Sequence, residues 1–165
     1  MAAVFSQSPV FHSEAYGGWS RDTVREVDIV TGCFLLITRK FWDELGGFDG
    51  AFFMYGKDAD LCLRASARGA RPMITPEATI VHYGGASETV LAHKMMRLLT
   101  AKISLIKRHW SPPTQSLGVA LFRLGPFLRW FVYSTAARLT NRYADAARTW
   151  REIWGSRRTW QNGFV

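Results

Sequence analysis

Residues 27–87 read VDIVTGCFLLITRKFWDELGGFDGAFFMYGKDADLCLRASARGARPMITPEATIVHYGGAS, and the way this stretch parses decides the fold. Its opening run, Val27 to Thr38, is apolar and partly β-branched, as suits a buried strand, with Gly32 marking a bulge or a close backbone approach. A short helix is predicted over Arg39 to Leu45, stopped by Gly46-Gly47. Beyond Phe48-Asp49-Gly50 come Phe52, Phe53 and Tyr55, then a second predicted helix from about Asp58 to Arg68, ended by Gly69. Asp58 and Asp60 fall in its first turn, where unpaired backbone N–H groups and the macrodipole favour carboxylates. Pro72 to Thr75 and Ala78 to His82 read as short strands about a Pro76-Glu77 turn, and Gly84-Gly85 closes the unit.

On either side the pattern changes. Residues 1–26 lack periodicity and read as a lead-in loop. From Thr89 the spacing turns helical, with Leu91, Met95, Leu98, Leu99 and Ile106 on one side, until Trp110-Ser111-Pro112-Pro113 breaks it. A second helical stretch, Leu117 to Leu139, is expected to kink at Pro126, and a third runs from Arg138 to Trp154. The organisation is thus 1–26 lead-in, 27–88 α/β unit and 89–165 basic amphipathic helical region.

With 165 residues, 48% of them hydrophobic, the chain can bury a real core, which excludes disordered and disulfide-scaffold classes. Cys33 and Cys62 have no metal-ligand spacing and read as reduced thiols of a cytoplasmic protein. No leader is expected at the N-terminus. Nor is a membrane span, since Leu117 to Leu139 is interrupted by Arg123, Arg129 and Arg138. The formal charge of +8 is unevenly distributed. Through Val90, 8 Lys and Arg face 11 Asp and Glu, a net of −3; from Leu91, 13 face two, a net of +11. The second part therefore faces something anionic.

Three features could carry chemistry. Asp58 and Asp60 can cap a helix, serve as a general base, or bind a hard metal. His82 ends a predicted strand before the small-residue run Tyr83 to Ser87, where an imidazole can ligate a metal, contact phosphate, or simply be structural. Gly46-Gly47-Phe48-Asp49 either ends a helix or leaves room for a ligand. His12, His93 and His109 have no comparable setting and are read as surface residues.

Taken together, residues 27–87 resemble the second half of the catalytic domain of family 2 glycosyltransferases, especially bacterial rhamnosyltransferase-like members. The resemblance rests on a small-residue turn (Thr31-Gly32-Cys33), a short helix, a GGFDE-like turn, an FF-x-Y-x-EDxDLCxR-like run and a strand ending in H-x-x-G-x-S. Lys57 stands where the family has Glu before the catalytic Asp, and Gly50 where GGFDE is usual.

The resemblance implies a partial GT-A, Rossmann-like domain in which Asp58 is the base that deprotonates the acceptor hydroxyl in a single inverting displacement. It implies that His82 helps hold a divalent cation, Mg or Mn, on the donor diphosphate. Gly46, Gly47 and Asp49 correspond to the acceptor-side loop, while Asp60 and Arg64 brace the helix at i, i+4. The implied partners are a nucleotide-sugar donor and a glycan or lipid-linked acceptor in cell-envelope polysaccharide assembly.

No N-terminal nucleotide-binding unit or DxD motif is found in the sequence, so a separate N-terminal half is an expected partner and the chain alone is expected to be inactive. A catalytically inactive membrane- or partner-binding module is the alternative function. The basic, Trp-containing C-terminal region suits helices on an anionic membrane surface, at the inner face of the cell membrane, or packed onto the catalytic unit. No nucleic-acid fold motif is present, and nucleic acid is not an expected partner.

Overall fold

The computed structural model describes residues 16, 19–83 and 90–164. The described elements, in chain order, are β1 (Arg25–Glu26), α1 (Arg39–Leu45), α2 (Lys57–Ser66), β2 (Met73–Ile74), α3 (Leu91–His109), α4 (Pro112–Leu139), a 3-10 turn (Asn141–Tyr143), α5 (Ala144–Gly155) and α6 (Arg157–Trp160).

The two short helices form where local signals demand them. Thr38 caps α1 by accepting from the Phe41 N–H, and Gly46 ends it in the left-handed region at φ 75°. Gly56, also left-handed at φ 87°, opens α2, which places Asp58 and Asp60 in the first turn. A Cβ on Gly56 would come within 3.1 Å of Phe52 and 3.2 Å of Ala101, so this turn also passes close to α3.

The predicted strands are largely absent. Val27 to Thr38 forms no ladder, and Ala78 to His82 is also irregular; the described sheet is one antiparallel pair, Arg25 with Ile74 and Glu26 with Met73. Val27 extends it by one bond, donating to the Pro72 carbonyl at 2.9 Å. A strand exists only where a neighbour accepts its backbone groups, and no described segment runs beside residues 28–38 as a ladder partner. The run is instead held through side chains: Val30 N–H donates to the Cys62 thiol at 3.4 Å, and Leu35 and Ile37 pack on the buried Leu45, Leu61 and Ala65.

A second, larger core lies among the C-terminal helices, where Leu99, Ile103 and Ile106 of α3 meet Val119, Ile153 and Trp160. The helix boundaries differ from expectation for identifiable reasons. Pro112 and Pro113 start α4 instead of merely breaking α3, because proline at the first helical positions forfeits N–H groups that lack partners anyway. Helix α4 runs unbroken through the buried Pro126 to Leu139. Thr140, in extended conformation, then interrupts the predicted Arg138 to Trp154 helix and accepts from the Arg142 N–H. The expected Gly84-Gly85 stop and most of the 1–26 lead-in lie outside the described residues.

Candidate active site

The junction of α2 with the two loops before it gathers most of the residues singled out in the sequence. Asp58 is half-buried there. Its Oδ2 accepts from the Gly32 N–H at 2.9 Å, and its Oδ1 from the Ala59 N–H at 3.0 Å. Gly32 makes the approach close: a Cβ would lie 3.3 Å from the Asp58 Cβ, so a larger residue would press on it. The carboxylate is thus oriented by two backbone donors and still has lone pairs to offer. Lys57 turns toward the preceding loop, its ammonium 5.4 Å from the centre of the Phe48 ring.

Asp60 points the other way, into the protein, with no exposed surface. Its Oδ2 accepts from Arg64 Nε at 2.7 Å; its Oδ1 lies 2.9 Å from His109 Nε2 and 3.3 Å from Arg108 Nε. An isolated buried carboxylate is costly, and here it is surrounded by cationic and hydrogen-bonding groups from both α2 and the end of α3. Arg64 also donates to the carbonyls of Leu45 (2.6 Å) and Gly47 (2.8 Å), tying α2 to the Gly46-Gly47 turn.

Asp49 completes the frame. It accepts from the Ala51 N–H at 2.8 Å and pairs with Arg108. That backbone hydrogen bond, helped by the positive charge of Arg108 and Arg64 against the opposing cost of burial, holds its pKa below the ordinary carboxylate value. Phe52, buried between Gly56 and the Arg108 guanidinium, meets the Phe164 ring edge-on at 5.9 Å. The loop 46–52 is therefore fixed on both sides, by Arg64 and by Arg108.

Of the sequence-derived candidates, Gly46, Gly47, Asp49, Asp58, Asp60 and Arg64 share this junction. His82 does not join it; it is exposed at the end of the irregular 78–82 segment, and the Gly84–Ser87 run after it lies outside the described residues. Among the described residues, no three of His, Cys, Asp and Glu come together as a metal shell.

Two residues of the frame were not foreseen. His109, read as a surface residue, has a side chain only 18% exposed and sits on Asp60; Arg108 bridges Asp49 and Asp60. The available signal was the basic last turn of α3, Lys107-Arg108-His109, but spacing could not reveal a contact to Asp60 across 49 residues.

A partly exposed, backbone-held carboxylate beside a glycine-rich loop is one of the arrangements that can take a proton from a bound hydroxyl, and such a carboxylate can also simply cap its helix. Comparison with known proteins narrows the choice. The family described as "Glycosyltransferase like family 2" matches residues 19–101, half of the chain, and the chain belongs to that family.

It is 42% identical over 62 residues to rhamnosyltransferase WbbL of Escherichia coli (38% of this chain, 23% of that protein). It is 32% identical over 80 residues to the O-antigen biosynthesis protein RfbC of Myxococcus xanthus (48% and 6%). To the N-acetylglucosaminyl-diphospho-decaprenol L-rhamnosyltransferase of Mycobacterium tuberculosis it is 31% identical over 94 residues (54% and 31%). The chain thus spans less than a third of the length of each of these relatives. No solved structure matches it. Arg108 and His109 lie beyond the matched residues, so the frame around Asp60 joins the family segment to the helices that follow it.

Proposed function

We propose that this chain is the acceptor-side part of a glycosyltransferase that moves a sugar from a nucleotide-diphosphate donor to a hydroxyl of a lipid-linked or polysaccharide acceptor. The observation that carries the reading is Asp58, half-buried and aimed by the Gly32 N–H, at the start of a helix whose preceding loop is locked in place. Asp58 takes the proton of the acceptor hydroxyl as that oxygen attacks the anomeric carbon. The bond from that carbon to the diphosphate oxygen breaks, the nucleoside diphosphate leaves with the electron pair, and the configuration inverts.

Asp49 and the Gly46-Gly47 turn form the acceptor-side wall, and the Asp60–Arg64 pair keeps α2 in register with it. Positive charge at the leaving diphosphate is the contribution expected of a Mg or Mn ion, for which His82 is the proposed ligand here. The fold completed in this way is a GT-A domain whose donor-binding part is supplied by a separate N-terminal half. The names of those relatives support rhamnose as the transferred sugar and O-antigen-like or polyprenol-linked glycans as acceptors.

No helix among the described residues is long and apolar enough to cross a membrane. The net charge of +11 from Leu91 onward supports a peripheral position on an anionic membrane surface, at its cytoplasmic face.

The test is sugar transfer by a chimaera in which residues 19–165 replace the matching part of the Escherichia coli rhamnosyltransferase. Asp58→Asn is expected to lower turnover by about a hundredfold or more while acceptor binding persists. Near-normal turnover removes Asp58 from the base role. A folded chimaera that transfers nothing favours a catalytically inactive binding module instead.

A further inference from the structure

Helix α4 is apolar on two opposite faces. Val119 and Pro126 are buried on the inner side, where Phe122 also packs onto the core. On the outer side Leu117, Leu121, Leu124, Leu128 and Phe131 recur at alternating steps of four and three residues, with Leu139 on the same line and Val132 beside it. These side chains are 45% to 89% exposed, and nothing among the described residues covers them. An apolar stripe from Leu117 to Val132, resumed at Leu139 beyond Thr135, along a 28-residue helix is an unusual surface to leave in water.

The charges of the same helix indicate what covers the stripe. Helix α4 contains Arg123, Arg129 and Arg138 and no Asp or Glu. Arg129 is stacked 5.2 Å over Trp150 and Arg123 donates to the Gln161 carbonyl, so both are anchored on the protein side of the helix. Arg138 is left exposed beside the stripe, and a second copy laid against it would bring together two regions that each carry 13 Lys and Arg against only Asp145 and Glu152. A nucleic acid would meet an aliphatic surface with Phe131 as its one aromatic. An anionic lipid surface satisfies both features, taking the leucines into the headgroup–acyl boundary and setting Arg138 and the positive charge of residues 91–165 against phosphates.

We propose that α4 lies in the plane of an anionic membrane surface, its Leu117–Leu139 stripe buried in lipid and its Val119–Pro126 face holding the protein to it. The proposal rests on the membrane-surface reading above and specifies the face that makes the contact. Because α4 follows α3, whose last turn holds Asp49 and Asp60, the seated helix sets the distance of the Asp58 loop from the lipid.

The experiment is co-sedimentation of the full chain with vesicles of phosphatidylcholine plus phosphatidylglycerol, and of phosphatidylcholine alone, at low and high salt. The wild type is expected to bind the anionic vesicles, more weakly as salt rises. The double variant Leu124→Gln/Leu128→Gln is expected to bind about tenfold or more weakly, with unchanged circular dichroism. Leu117→Gln/Leu139→Gln, at the most exposed positions, is the second variant should the first not fold, with binding reduced several-fold.

Wild-type binding that neither double variant weakens overturns the stripe but leaves the membrane reading intact. Absence of wild-type binding to anionic vesicles at low salt overturns both. A dimer that Leu124→Gln/Leu128→Gln dissociates, with no vesicle binding, assigns the stripe to a second copy and likewise overturns the proposal.

Discussion

His109 Nε2 lies 2.9 Å from Asp60 Oδ1, so the last turn of α3 is clamped to the first turn of α2 through a carboxylate with no exposure of its own. Removing one partner of a buried polar pair strands the other without water. Asp60→Ala is expected to cost about 3 kcal/mol, near the low end for such sites because Arg64 keeps the Leu45 and Gly47 carbonyls. His109→Ala is expected to cost about 1–2 kcal/mol. The double variant should cost less than their sum by more than about 0.5 kcal/mol, since both remove the same contact. Urea melts of the four proteins measure this, and strict additivity would mean that the clamp carries no energy.

Asp49 links the same frame to pH. Its carboxyl is held below the ordinary 3.8, first by the Ala51 N–H and then by Arg108. A depressed carboxyl contributes stability that is complete above its unfolded pKa and is lost as pH falls through the folded one. The difference in melting temperature between wild type and Asp49→Asn is therefore expected to be constant from neutral pH to about pH 5 and to close below the ordinary value. A difference that persists unchanged under strong acid would place the contribution of Asp49 outside its charge.

How far the sequence reveals this arrangement depends on the range of each interaction. Helices α1 and α2 were legible because their signals are local: the Gly46-Gly47 stop, the carboxylates of the first turn and the four-residue step from Asp60 to Arg64, whereas the Thr38 cap went unread inside the predicted strand. The Val27–Thr38 strand was misread because β-propensity states what a segment tolerates, while a ladder requires a neighbour; here Arg25 and Glu26 find Ile74 and Met73, and the residues after them find side chains. Arg108 and His109 were illegible for the same reason at longer range. The position of Asp58 was legible, and of the two readings of Gly32, a bulge or a close backbone approach, the second holds; what spacing could not name was its partner, since the Gly32 N–H donates to Asp58 across 26 residues.

The adjacent glycines Gly46 and Gly47 separate two costs that a sequence cannot tell apart. Gly46 and Gly47 are both left-handed, at φ 75° and 68°. A Cβ on Gly46 meets nothing within 4 Å, whereas one on Gly47 would press on the Trp42 ring at 2.9 Å. Gly46→Ala is expected to cost about 1 kcal/mol, the backbone strain alone. Gly47→Ala adds displacement of Trp42, which itself packs edge-on against Phe48 at 5.0 Å, and is expected to cost about 2–3 kcal/mol. Thermal melts give the ordering, and equal losses would mean that Trp42 yields freely.

The two cysteines should differ sharply in reactivity although both are free thiols. Cys33 is exposed in the loop beside Gly32, so an alkylating reagent reaches it directly. Cys62 is buried in α2, where desolvation raises its pKa above the ordinary 9.0 despite the opposing hydrogen bond that the Val30 N–H donates to its sulfur. Only the thiolate attacks, so at neutral pH the buried sulfur is handicapped twice, by access and by ionisation. One equivalent of maleimide under native conditions is expected to label Cys33 and leave Cys62 unmodified, as read by peptide mass spectrometry; urea should expose both equally. Because Cys62 Sγ accepts from the Val30 N–H, its labelling in the folded chain would report that the segment leading to Gly32, and with it the donor to Asp58, had detached from α2.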